Sequence, residues 1–355
     1  MNQPVSRVSR YLLVPRPYPG KLSLVAPMYN EEETVPLLRA ALESFMTEVS
    51  CATEVVLVND GSRDGTIDLL IEWAQTDERI KVIHLSRNFG HQIAATAGLD
   101  RASGDAVVLI DADLQDPLAV VHEMITRYCE GYDVAYGQRK TRIGESRMKR
   151  ATAWLFYRLM RRLVYKDLPL DAGDFRLISR PCLNGLLQMR ETHRFLRGMT
   201  AWVGYPQIAV PYSRAARAAG ETKYPMRKML SFAWTAATSF STVPLRLSFA
   251  AASAAALLSI EEGIRGLFAH IFGYTVSGWT SLTILLSGIG AALLFSVGIL
   301  GEYVAKIYEQ EKHRPLYLAA HTFNLGDETM PHEQRGRASV SLNGQPDHLS
   351  QRTAP

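Results

Sequence analysis

Between Lys21 and Gly137, short apolar runs alternate with longer segments in which apolar positions recur at helical spacing. The runs Leu22 to Ala26, Glu54 to Val58, Lys81 to Leu85, Ala106 to Ile110 and Asp133 to Gly137 predict strands. The stretches between them, about ten to fifteen residues each, predict helices, and this βαβ alternation specifies an α/β domain built on a mostly parallel sheet. Ligands of such sheets collect at the carboxyl ends of the strands. Polar clusters follow those ends: Tyr29, Asn30 and Glu31 after the first, Asn59 to Asp64 after the second, Arg87 to His91 after the third, and Asp111 to Asp116 after the fourth. Four loops are thereby expected on one rim.

Beyond the sheet the pattern changes. Ala151 to Lys166 reads as an amphipathic helix, with Leu155, Phe156, Leu159, Met160, Leu163 and Val164 opposite Arg158, Arg161 and Arg162. It fits a membrane surface or an ordinary helix packed on the sheet. Tyr224 to Thr242 is a second amphipathic segment, and its place just before an apolar stretch favours the membrane. Two apolar segments follow, Leu247 to about Phe272 and Thr280 to Gly301. The second holds no charged residue and is long enough to cross a bilayer core of roughly 30 Å. Glu261, Glu262 and Arg265 interrupt the first at a costly depth, which an i,i+4 pairing of Glu261 with Arg265 or a re-entrant path would relieve.

Arg227, Lys228 and Arg246 precede this hairpin and Lys306, Lys312 and Arg314 follow it, while the joining loop has no basic residue. The positive-inside rule then puts both termini and the α/β domain in the cytoplasm, as a multi-pass protein of the inner (cytoplasmic) membrane. The expected organisation is a flexible arm over 1–20, the α/β domain over 21–223 and a juxtamembrane helix over 224–246. A transmembrane hairpin over 247–303 and a C-terminal segment over 304–355 complete it. Past Tyr317 that segment is polar and poor in aromatics, and is expected to be disordered.

Composition narrows the class. Over 355 residues, 47% apolar and 21% charged is ordinary for a globular chain. A formal charge of +4, without basic runs interleaved with aromatics, gives no footprint for nucleic acid. Cys51, Cys129 and Cys182 have no CxxC spacing and cannot all pair, so a reduced compartment fits best. No apolar core with a cleavage site marks the N-terminus as a signal peptide.

The chemistry sits in the strand-end loops. Asp111-Ala112-Asp113 projects two carboxylates after a buried strand, where they can hold a hard cation that bridges phosphates. An isolated acidic pair in a turn is more often only a turn; what raises the metal reading is its company on the rim. A calcium loop of the EF-hand type is excluded, because its glycine position is Asp116 and its glutamate position is His122. A nucleotide base can stack on Tyr29 and hydrogen-bond to Asp60, although Asn59-Asp60-Gly61 also fits a plain turn with a helix cap. Arg87-Asn88-Phe89-Gly90-His91 precedes the small-residue helix Ile93 to Asp100, whose N-terminus suits donor phosphates.

Taken in order, these motifs carry a resemblance. Ala26-Pro27-Met28-Tyr29-Asn30-Glu31, Val58-Asn59-Asp60-Gly61-Ser62, Arg87-Asn88-Phe89-Gly90 and Asp111-Ala112-Asp113-Leu114-Gln115-Asp116-Pro117 are followed by Asp171-Ala172-Gly173-Asp174-Phe175-Arg176 and Gly220-Glu221-Thr222-Lys223-Tyr224-Pro225. The set resembles family 2 glycosyltransferases of the polyprenyl-phosphate type, the group of bactoprenol glucosyltransferases and dolichol-phosphate mannose synthase. It covers about Lys21 to Tyr317.

The resemblance implies a GT-A (nucleotide-diphospho-sugar transferase) fold. It implies Mg²⁺ or Mn²⁺ held through Asp111, Asp113 and Gln115, and a donor site of Pro27, Tyr29, Glu31, Asp60, Asn88, Gly90, Asp111, Ala112 and Asp113. Asp171 and Asp174 would be the catalytic carboxylates beside the sugar. The implied reaction is inverting transfer of a hexose, glucose favoured, from a UDP-sugar to undecaprenyl phosphate at the cytoplasmic face, feeding cell-envelope glycan or lipopolysaccharide modification. Expected partners are a nucleotide sugar, undecaprenyl phosphate and membrane lipid, with a homo-oligomer, a flippase and a downstream glycosyltransferase as further candidates. The charged first span and the tail beyond Tyr317 depart from the family pattern.

A polyprenyl monophosphate, with a second pKa near ~6, is already ionised at neutral pH, so no strong base is needed. Cationic side chains must instead bring two phosphate groups together. Arg139, Arg147, Arg150, Arg217 and Lys223, between sheet and membrane segments, are the candidates, set against an ordinary role as solvated surface charge. Two other readings compete. A processive polysaccharide synthase needs more spans and a Gln-x-x-Arg-Trp motif, yet none of the five tryptophans follows an arginine. A nonenzymatic membrane scaffold would bind a nucleotide sugar without turnover.

Overall fold

The computed structural model describes residues 13–139, 172–213, 243–273 and 279–326. Asp171, Arg147, Arg150, Arg217 and Lys223 lie outside the described residues, as do both amphipathic segments, Ala151 to Lys166 and Tyr224 to Thr242.

The alternation of the first half folds as expected. Strands β1 (Lys21–Met28), β2 (Ala52–Asn59), β3 (Ile80–Leu85) and β4 (Ala106–Leu109) pair in parallel. Helices α1 (Val35–Glu48), α2 (Thr66–Thr76) and α3 (His91–Arg101) connect them. Then come α4 (Ala119–Cys129), β5 (Val134–Arg139), β6 (Ala172–Ser179), α5 (Arg180–Gln188), α6 (Leu196–Val203) and β7 (Gln207–Tyr212). Helices α7 (Val243–Ile271) and α8 (Trp279–Glu311) precede a last strand, β8 (Ala319–Phe323). All eight strands form one sheet in the order β7-β5-β6-β4-β1-β2-β3-β8, with β6 antiparallel to β4 and β5, and β8 antiparallel to β3. This is the mostly parallel sheet of a GT-A fold.

Successive residues of a strand face opposite sides, so the central strands feed two cores. Leu22, Leu24, Val55 and Leu57 pack with Leu38, Leu42, Leu70, Trp73 and Met124 from α1, α2 and α4. Val25, Val56 and Val58 pack with Ala94, Ala97, Leu183 and Met199 from α3, α5 and α6. Each large apolar side chain fully removed from water contributes about 1.5–3 kcal/mol. The small-residue face of α3 lets it approach closely: a Cβ on Gly98 would stand 2.3 Å from Val25 Cγ1.

Two expectations are corrected at the chain's ends. The arm over 1–20 is tied down at Arg16, although most of residues 13–20 are exposed. Arg16 pairs with Asp133 at 3.0 Å, donates to the Gly131 carbonyl at 2.8 Å and lies over the Tyr128 ring. The chain continues past Tyr317 into a strand, because Ala319–Phe323 pairs with the edge strand β3 and satisfies its open backbone groups. Tyr317 itself is buried and donates to Asp100 Oδ2 at 2.9 Å.

Helix α7 runs without interruption past Glu261 and Arg265, both exposed. Among the described residues one stretch, Gly288–Glu311 in α8, is long and apolar enough to cross a membrane, with mean hydropathy 1.7 and little of it buried. It overlaps the second half of the expected span Thr280 to Gly301. Ser248 of α7 and Ile299 of α8 are buried, and Ser296 Oγ donates to the Ser248 carbonyl at 3.4 Å.

Candidate active site

The first three strand-end loops are stitched into one rim. The Asn30 N–H donates to Ser62 Oγ at 2.9 Å, and Asn30 Oδ1 accepts from the Arg63 N–H at 2.9 Å. Glu31 N–H donates to Thr66 Oγ1 and Glu32 accepts from the Gly65 N–H, both at 2.9 Å. Asp60, almost fully buried, accepts from the backbone N–H groups of Phe89 at 2.7 Å and Gly90 at 2.9 Å, fixing the third loop to the second. Burial raises its pKa, against those two bonds. Gly61 has φ 65° and lies so close to the third loop that an added Cβ would stand 2.5 Å from the Arg87 carbonyl carbon.

On this rim Tyr29 is 41% exposed, and Asn88 is exposed as well. Pro27 is buried inside β1 and shapes the rim from beneath. Glu31 is half-buried and accepts from the Thr34 hydroxyl at 2.8 Å, at the entry to α1.

The fourth loop carries the paired carboxylates. Ala112 is buried between Asp111 and Asp113, Asp113 Oδ1 accepts from the Gln115 N–H at 3.1 Å, and Leu114 is held at φ 53°. Burial first, and then the charges of Asp116, Asp174 and Asp113, push Asp111 up to about 6 against the pull of His91. Gln115 Oε1 is buried without a hydrogen-bond partner among the described residues. An orphaned acceptor oxygen beside two carboxylates fits a hard cation, which binds through one or two carboxylates plus substrate phosphates. No group of three or more His, Cys, Asp or Glu side chains placed to hold a metal occurs among the described residues.

Behind the turn, Asp116 accepts from the Tyr212 hydroxyl, and burial together with that bond pushes the phenol up to about 12. Arg139 Nε reaches the same hydroxyl at 3.5 Å, and its guanidinium lies against Gly173, where a Cβ would stand 3.1 Å from Nη2. Arg139 is therefore placed beside Tyr212 and Gly173, the residue before Asp174.

Asp174 is held by several partners. Arg197 donates from Nε to Oδ1 at 2.8 Å and from Nη2 to Oδ2 at 3.3 Å, and Gln92 Nε2 donates to Oδ2 at 2.9 Å. Burial pushes Asp174 up, but Arg197, His91 and Arg176 outweigh it and hold the group well below the usual carboxylate range. His91 Nε2 stands 3.5 Å from Asp174 and 3.6 Å from Asp111, and these carboxylates raise its pKa against burial. The fully buried Arg176 donates to the Asp174 and Gly173 carbonyls and to Thr200 Oγ1. Such a carboxylate is suited to remain ionised and fixed.

The structure thus gathers Tyr29, Asp60, Asn88, Gly90, Asp111, Asp113, Gln115, Arg139 and Asp174 around one rim. Sequence reasoning missed Gln92, Arg197, Tyr212 and Arg176. His91 and Gln92 carried a signal, since they open the helix after Gly90. Arg197, remote in sequence from every strand end, carried none.

Residues 23–187 match the family described as Glycosyl transferase family 2. An uncharacterised glycosyltransferase of Bacillus subtilis, YkcC, is 41% identical over 317 residues, covering 88% of this chain and 97% of that protein. A bactoprenol glucosyl transferase of Shigella phage SfV is 37% identical over 299 residues, covering 84% and 97%. Among solved structures, a Pyrobaculum calidifontis mannosyltransferase in complex with GDP-Man and Mn²⁺ gives a TM-score of 0.42 at 19% identity, covering 80% of this chain and 89% of that one.

Proposed function

The chain belongs to glycosyl transferase family 2, and from that premise we propose that it transfers a hexose, glucose favoured, from a UDP-sugar to undecaprenyl phosphate at the cytoplasmic face of a membrane. The observation that carries the reading is the Asp111 to Gln115 turn, with its two carboxylates and an orphaned buried amide oxygen, closing a rim that exposes Tyr29. Support for the acceptor comes from the 37% identical relative named for bactoprenol and from the apolar stretch Gly288–Glu311.

In this reading the nucleotide base stacks on Tyr29 while Asp60 holds the loop that presents Asn88 and the N-terminus of α3 to the donor phosphates. Asp111, Asp113 and Gln115 would hold Mg²⁺ or Mn²⁺, which when bound neutralises the leaving diphosphate. Arg139 faces the incoming lipid phosphate, joined by Arg147, Arg150, Arg217 and Lys223, and these cations offset repulsion between the two phosphate groups. Because the acceptor arrives ionised, Asp174 acts as a fixed charge that orients sugar hydroxyls; Asp171 is the second carboxylate assigned to that side. Attack opposite the leaving diphosphate inverts the anomeric carbon. Helices α7 and α8 form the hairpin that brings the rim to the bilayer surface.

Asp113→Asn removes charge and keeps shape, so it should abolish transfer from UDP-glucose to undecaprenyl phosphate while leaving thermal unfolding unchanged. Near-normal activity of that variant, or of the wild type in excess chelator, would overturn the metal-assisted reading.

A further inference from the structure

Gln92, in the first turn of α3, uses both of its amide atoms to join separate elements of the site. Its Oε1 accepts from the Leu196 N–H at 3.0 Å, at the start of α6, and its Nε2 donates to Asp174 Oδ2 at 2.9 Å, on β6. The direction of each bond is dictated by chemistry. A backbone N–H can meet only an acceptor, and a carboxylate held ionised by Arg197 can meet only a donor. Just before it, Gly90 is tied to Asp60, and His91 faces both Asp111 and Asp174. The bridge therefore locks the N-terminus of α3, on the donor side, to the carboxylate beside Gly173 and Arg139.

We propose that Gln92 is a positioning residue for sugar transfer: its amide fixes Asp174 and the start of α6 relative to the donor loop, and it acts through Asp174 rather than on the substrate. This rests on the proposed transfer reaction for its kinetic readout only.

Glu at position 92 has the same length and shape but, when ionised, has no donor and places a second negative charge beside Asp174. When protonated, its O–H can donate to Asp174 while its carbonyl accepts from Leu196, reproducing both bonds of the amide. The groups facing this position are His91 from α3, Asp174 and Arg176 from β6, Arg197 from α6 and Asp111 after β4. A charge at position 92 is coupled to their titration, so the pH response is read for the group of residues together, with an uncharged substitution as its control.

The experiment uses the full chain in detergent, with UDP-glucose and undecaprenyl phosphate, at pH 5.5 to 8 and well below the unfolding temperature. Gln92→Glu should have a kcat roughly tenfold or more below wild type near pH 8, as expected for losing one hydrogen bond to a charged group. The ratio should recover several-fold toward pH 5.5, with the donor KM within about twofold throughout. Gln92→Met, which lacks both bonds and cannot titrate, should show a reduced ratio that does not change with pH. The melting temperature of Gln92→Glu relative to wild type should rise as pH falls from 8 to 5.5, a readout independent of turnover.

A melting difference that ignores pH would overturn the bridge. A kcat ratio that stays near one, or stays flat while the melting difference moves, would leave Gln92 merely structural and overturn the positioning role. A wild type that turns over no substrate would count against the transfer reading alone, and the melting comparison would still decide the bridge.

Discussion

Arg197→Met should destabilise the α/β domain by leaving Asp174 charged and buried. The Asp174 side chain is only 7% exposed and that of Arg197 29%. Breaking a buried pair by removing one partner costs about 3–5 kcal/mol. Arg197 is partly solvated, and Gln92 and His91 remain beside the carboxylate, so a loss of roughly 2–3 kcal/mol is expected. That is a large share of the 5–15 kcal/mol typical of a folded domain. Urea unfolding followed by tryptophan fluorescence, to which the fully buried Trp73 contributes, measures it. Adding Asp174→Asn to Arg197→Met removes the stranded charge and should recover at least half of the loss, giving a clear coupling in the double-mutant cycle. A single-variant cost below about 1 kcal/mol, or a double variant as unstable as the sum of the singles, would refute the buried-pair reasoning.

Three further outcomes are expected. Glu54 is buried, which raises its pKa, but bonds from Lys21, Lys81, Ser23 and Ser103 outweigh burial and hold it down at about 2. Its stabilisation, about 3 kcal/mol from that shift, is complete above the unfolded value of 4.5 and lost as pH falls toward 2; Glu54→Gln should flatten the acid limb of stability against pH. Gly61→Ala places a Cβ against the Arg87 backbone at positive φ, so it should weaken UDP binding by roughly tenfold in calorimetry through displacement of the Asn88 loop. In a cysteine-free background, a cysteine at Ser277 should be labelled from outside and one at Ser339 from the cytoplasm; labelling of both from one side would remove the hairpin.

The strands of the first half were legible because a sheet covered on both faces is written as nearly continuous apolar runs, such as Leu22 to Ala26, broken only by Ser23, and Val55 to Val58. Strand β6 was not legible. It carries Asp174 and Arg176 at buried positions, and charges in a short run read as loop until Arg197 and Thr200, contributed by another element, compensate them. Strand β8 is five residues long and owes its order to β3, more than two hundred residues earlier in the chain. At the site, strand-end position marked the Asp111 and Asp113 pair and the Asp60 turn. The Gln92, Asp174 and Arg197 network was invisible because its partners meet only after β6 inserts beside β4.

The most direct measurement is turnover by the purified full chain with a panel of nucleotide sugars, undecaprenyl phosphate and Mg²⁺ or Mn²⁺, following labelled sugar into the organic phase. The expected result is a lipid-linked monosaccharide formed from UDP-glucose in preference to other donors, lost when undecaprenol replaces undecaprenyl phosphate. Donor binding without any lipid-linked product across the whole panel would contradict the proposed reaction and favour a sensing role for the same rim.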